Sequence, residues 1–145
     1  MAFQFSLAAV LRMRGIIEER EEAALQKILF EVAKVLDDLQ QISVQIRQGE
    51  AQRQMQALEP CLGLHLQAAY GEIKHLQERR KEREAQLTKL QTARDAQLLV
   101  YQAARRDREL LSNMCHEQRT AYETQVSKRE QNALDDNFIA RRGRP

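Results

Sequence analysis

The sequence predicts an all-α fold: two long helices forming an antiparallel coiled-coil hairpin, the second helix longer than the first. Three observations carry this. Apolar residues recur at alternating steps of three and four along most of the 145 residues, which is the spacing of one helix face. Only 5% of residues are aromatic and none is Trp, while 30% are charged; such a chain suits helices sharing a narrow seam better than a compact core. Proline occurs only at Pro60 and Pro145, so one interior break is available to a helical chain. A net charge of +2 is too small, and the periodicity too regular, to favour disorder. The length allows one domain.

The first helix is expected over about residues 6–48. In "FQFSLAAVLRMR", Phe3, Phe5 and Leu7 alternate like a short strand. Ser6 reads instead as an N-cap, its hydroxyl accepting from an amide of the first turn. Phe5 would then pack on Val10 as a hydrophobic staple. The stretch is not expected to be a secretory signal: no Lys or Arg precedes it, Gln4 and Ser6 interrupt it, and Arg12 and Arg14 close it. No window approaches the roughly 18 apolar residues of a membrane span, so a soluble, cytosolic chain is expected. Leu25, Ile28, Val32, Val35, Leu39, Ile42 and Ile46 form an unbroken seam. Extended backwards, that register meets Glu21, Glu18 and Arg14, and a shifted stripe of Phe3, Leu7, Val10, Ile17 and Ala24 takes over, as when a pattern departs from strict heptads.

Gly49 after a basic turn reads as a helix stop, and Pro60 as the far side of a break. The bend is therefore expected at about 49–61. The second helix, about 62–139, carries Leu62, Leu66, Ala69, Ile73, Leu76, Leu87, Leu90, Tyr101, Ala104, Leu111, Cys115 and Tyr122 on its seam. Gly63 and Gly71 loosen its start. Arg80, Arg83, Arg94, Gln97 and Arg108 occupy slots that a tight coiled coil gives to Leu. Each Arg can lay its stem on the seam and keep the guanidinium wet; alternatively, the loosened middle faces a partner. Folding at the bend puts Phe3 opposite about residues 107 to 116 and leaves about 25 residues, from about 117 to 140, unpaired. A basic tail, 140–145, follows; as a terminus it reads as solvated rather than phosphate-binding.

No catalytic constellation is present. The five glycines are scattered and cradle no phosphate. Cys61 and His65, one turn apart, supply at most two of the four ligands of a structural zinc. Cys115 and His116 diverge by about 100° on a helix. The acids of "LDD", 134–136, read as solvated. On one continuous helix the 54 residues between Cys61 and Cys115 span about 80 Å, so a disulfide is excluded and reduced thiols are expected. A helical rod offers no water-excluding pocket. The expectation is a non-enzyme without cofactor or metal; the charge balance points to no nucleic-acid partner.

The segment "YETQVSKREQNALDDNFIARR", 122–142, mixes an apolar stripe with dense charge, as in a helix that docks in another protein's groove. "FQFSLAAVLRMRGIIEEREEAAL" resembles the Phe-x-Phe-x-Leu-x-x-Val-Leu-x-x-Arg opening of the flagellar type III export protein FliJ family. The 122–142 segment is similar to that family's ending, with its Arg-Glu-Gln-x-x-Leu-Asp run, so the resemblance spans essentially the whole chain. It implies a stalk-like part of the flagellar export apparatus, needed for flagellum assembly and motility. Its implied partners are the hexameric export ATPase, the membrane export gate and export chaperones, met at the cytoplasmic face of the inner membrane. Carried over by motif position, the ATPase contacts would be Phe3, Phe5, Leu7, Val10, Leu11, Arg12, Arg129, Glu130, Gln131, Leu134 and Asp135. Arg80, Arg83 and Arg94 are the candidates toward the gate. The rival readings are an export chaperone without ATPase coupling and a structural coiled coil, such as a parallel dimer.

Overall fold

The computed structural model describes residues 2–58 and 63–144. Two helices account for nearly all of them: α1, Ala8–Leu58, of 51 residues, and α2, Gly63–Arg142, of 80 residues. The all-α hairpin class and the longer second helix are therefore both observed. The chain divides into two compact units, one of Glu22–Val100 and one of Met1–Glu21 with Tyr101–Pro145.

In the 22–100 unit the two helices run antiparallel, Asp38 facing Arg83 and Gly49 facing Ile73. The α1 seam is the one the spacing gives. Leu25, Val32, Val35, Ile42 and Ile46 are buried, as is Ile73 on α2, with Val35 at 4% and Ile42 at 3% exposure. On α2 the half-buried positions Leu66, Ala69, Leu76, Arg80, Arg83, Leu87, Leu90, Arg94 and Gln97, with buried Ile73, step by three and four as a two-helix seam requires, and Gln91 beside Leu90 is half-buried as well. Side chains off this stripe stay wet: Phe30 is 71% exposed.

Gly49 does not stop α1, which continues to Leu58. An interior glycine costs a helix only about 1 kcal/mol relative to alanine, less than seam packing returns. Here its missing side chain has a use. A Cβ on Gly49 would stand 3.3 Å from Ile73 Cγ1, so the glycine admits the one buried isoleucine that α2 contributes. Gly71 likewise lies inside α2. Of the expected 49–61 bend, residues 49–58 are helical; Pro60 and Cys61, with the reading of Cys61 and His65 as a ligand pair, lie outside the described residues.

In the other unit the register differs from expectation. Phe3 meets Tyr122, ring centroids 5.6 Å apart, rather than residues 107 to 116. Phe3 thus lies beside α2 at least six residues further along than expected. The unpaired part of α2 accordingly shrinks. Tyr122 and Val126 are half-buried, whereas 127–144 are exposed throughout. Arg141 and Arg142, expected in the tail, are helical, and Gly143 N–H donates to the Ile139 carbonyl at 3.0 Å.

The start of α1 also differs. No hydrogen bond of the Ser6 hydroxyl is present among the described residues. Instead Ala8 N–H donates to the Phe5 carbonyl at 3.1 Å and Leu11 N–H to the Leu7 carbonyl at 2.9 Å. Leu7 thus takes the capping position, one residue beyond Ser6. The inner face here is Ala8, Leu11, Gly15 and Glu18, while Leu7 and Val10 turn outward at 36% and 41% exposure. The strict register persists through Glu18, and the shifted stripe is only partly turned inward.

Replacing Ile42 by Ala removes a fully packed seam side chain and should lower stability by about 2–4 kcal/mol. Phe30→Ala, on the wet face, should stay within about 0.5 kcal/mol. Denaturant unfolding followed by circular dichroism separates the two; equal losses would mean that the seam is misassigned.

Candidate interaction site

Charged residues enter the seam with partners. In the unit containing both chain ends, Arg108 of α2 donates from Nε to Glu18 Oε2 of α1, and from Nη2 to Oε1 at 3.4 Å. The Glu18 side chain retains 15% and that of Arg108 33% of its exposure. Arg14 reaches Asp107 at 3.3 Å across the same pair of helices, and Arg105 bonds Glu109 at 2.9 Å along α2. The hydrogen bond that Arg108 donates to Glu18 holds its guanidinium above arginine's ordinary value, partly offset by desolvation. Arg105 is raised in the same direction, mainly by its bond to Glu109. A group with a raised folded-state value stabilises below its unfolded value and loses that contribution only as pH climbs through the raised one. Both arginines therefore keep their charge throughout the neutral range.

The gate candidates sit in the 22–100 unit. Arg83 approaches Asp38 of α1 at 3.8 Å, Arg80 approaches Glu84 at 3.8 Å and Arg94 bonds Asp95 at 3.2 Å. All three are half-buried on the seam stripe. Each is already matched by a carboxylate.

The ATPase candidates fall in the other unit. Phe3, Phe5 and Leu11 are half-buried, with the Phe3 ring tilted 43° against Tyr122. Leu7, Val10 and Arg12 point outward. Arg129, Glu130, Gln131, Leu134 and Asp135 are all exposed, Leu134 at 68%. They lie beyond Tyr122 on α2 by about 10 to 20 Å at the helical rise. No hydrogen bond, ion pair or ring contact among the described residues joins them to 3–12. The two motifs therefore share a unit without forming one continuous patch. Phe138 and Ile139 add 62% and 67% exposed apolar surface, with Arg142 over the Phe138 ring at 5.4 Å.

Sequence reasoning did not pair the seam arginines with Glu18, Asp38 and Asp107. The signal was present: Glu18 occupies a seam slot when the heptads of α1 are extended backwards, and Arg108 occupies one on α2. Among the described residues no group of three or more His, Cys, Asp or Glu could hold a metal ion, and no helix is long and apolar enough to cross a membrane. Cys115 is a half-buried free thiol. No protein-family model, curated protein or solved structure matches the chain.

Glu18→Gln and Arg108→Gln should each lower the melting temperature, and the double variant should lose less than the two single losses added. Strict additivity in that cycle would show that the pair contributes no coupling.

Proposed function

We propose that the chain is a stalk-like component of a flagellar type III export apparatus, binding the export ATPase ring through the unit that carries both end motifs. The observation supporting this most directly is the pair of motifs themselves, Phe3 to Arg14 and Arg129 to Asp135. Both fall in one unit, and the α2 half of the surface stands uncovered from 127 to 144. The role asks for binding and stiffness rather than catalysis. An asymmetric helix pair in a six-fold pore cannot touch all subunits equally. It can bias assembly or conformation of the ring, provided it binds the alternatives with different affinity.

Contact with the membrane export gate and with export chaperones belongs to the same reading, which places the chain in the cytoplasm beside the membrane. Arg80, Arg83 and Arg94 are weakened as gate contacts because their guanidinium groups face acids within the chain. An export chaperone without ATPase coupling is the second reading. It draws on the exposed run Leu98, Leu99 and Val100, at 38%, 68% and 48%, which offers apolar surface to an unfolded substrate.

Hydrolysis of ATP by a flagellar export ATPase, measured with and without this chain, is the test. The wild-type chain should stimulate turnover. Leu7→Asp combined with Leu134→Asp should cut that stimulation about tenfold, the scale of losing central apolar anchors, with helix content unchanged. Substrate binding without any stimulation would support the chaperone reading instead.

A further inference from the structure

We propose that the exposed end of α2 pairs antiparallel with the same segment of a second copy of this chain, forming a two-fold dimer. The inference is independent of the export reading and rests on charge order along the helix. Over 127–142 every residue of α2 is exposed. A stripe of Ser127, Gln131, Leu134, Phe138 and Arg141 follows steps of four, three, four and three, the spacing of a two-helix seam. Leu134, Phe138 and Arg141 line one shallow groove on this face. The apolar part is short, so charge must decide the partner and its direction.

In an antiparallel pair of identical helices the seam layers match residues about a two-fold axis. Here Gln131 meets Leu134 of the second copy, and Ser127 meets Phe138. The flanking position after Ser127 is Lys128, and the one after Leu134 is Asp135. The antiparallel arrangement sets Lys128 of one copy beside Asp135 of the other, twice by symmetry. Arg141 then falls beside Thr124 and Glu123. No ion pair among the described residues engages Lys128 or Asp135.

The parallel in-register alternative fails on the same residues. It stacks Arg141 on Arg141 in the seam and sets Glu130 beside Asp135, two repulsive contacts. Only one pairing, Glu123 with Lys128, is then attractive. Like-charge juxtaposition of this kind selects orientation in helix pairs. The segment is therefore self-complementary in one direction and self-repelling in the other. A partner that covers the same face would compete with the dimer by mass action.

Sedimentation equilibrium on the full chain, from about 10 to about 500 µM, reads the dimer against the 16.9 kDa monomer. The wild type should shift toward twice that mass as concentration rises. Lys128→Glu should raise the dissociation constant about tenfold, the effect of turning two symmetry-related exposed pairs repulsive, and Lys128→Glu with Asp135→Lys should restore it. Both positions are exposed, so circular dichroism should show unchanged helix content. A strictly monomeric wild type overturns the proposal, as does a dimer that Lys128→Glu leaves untouched or that the double reversal fails to rescue.

Discussion

A helix paired with only one other helix can hide only one stripe of its surface. The rest of the structure follows from how this chain fills that stripe. Where α1 supplies Leu25 to Ile46, β-branched residues occupy it and burial is deep. Where α2 supplies arginine, the stripe stays half-wet and the guanidinium groups find acids. Burying such a charge without a partner costs far more than a surface pair returns. Glu18 beside Arg108 and Asp38 beside Arg83 offset the partial desolvation of arginines that keep 33% of their side-chain exposure. The same pairs help to specify registry: sliding one helix past the other would leave those charges facing apolar side chains.

Much of this was legible in the residues. The stepping of Leu25 through Ile46, and of Leu66 through Cys115, gives helix identity and the inward face directly, because a two-helix fold offers those residues no other way out of water. The end of α1 was not legible. Gly49 looks like a stop because glycine commonly ends helices, yet here it makes room for Ile73, and only three-dimensional proximity reveals that. Nor does residue spacing reveal that Phe3 meets Tyr122 on α2. The start of α1 was missed by one residue for a related reason. Ser6 and the Phe5 carbonyl compete to satisfy the first free amides, and the backbone acceptor is the one used.

The candidate site divides in the same way. Its residue types were visible as motifs, and their outward placement at Leu7, Val10 and Leu134 agrees with a binding surface. Their grouping was not visible. The segment from Arg129 to Asp135 stands clear of the 3–12 stretch, because α2 outruns the residues that cover it. A surface split this way suits a partner that grips α2 on its own, whether a ring subunit or another copy. The seam arginines teach the opposite lesson. An unusual residue on a helix stripe is here matched by a carboxylate of the same chain, across the seam for Arg83 and Arg108 and along α2 for Arg80 and Arg94.

The register itself carries these conclusions, and distance measurement between spin labels in a single molecule tests it most directly. With Cys61 and Cys115 replaced by serine, labels at Gln4 and Glu123 should lie within about 20 Å, as the Phe3–Tyr122 contact demands. Dilution with unlabelled chain removes distances between copies. Labels at Gln4 and Asn113 should lie measurably further apart, since ten residues of helix add about 15 Å of axial rise. A shorter distance to Asn113 than to Glu123 would contradict the account.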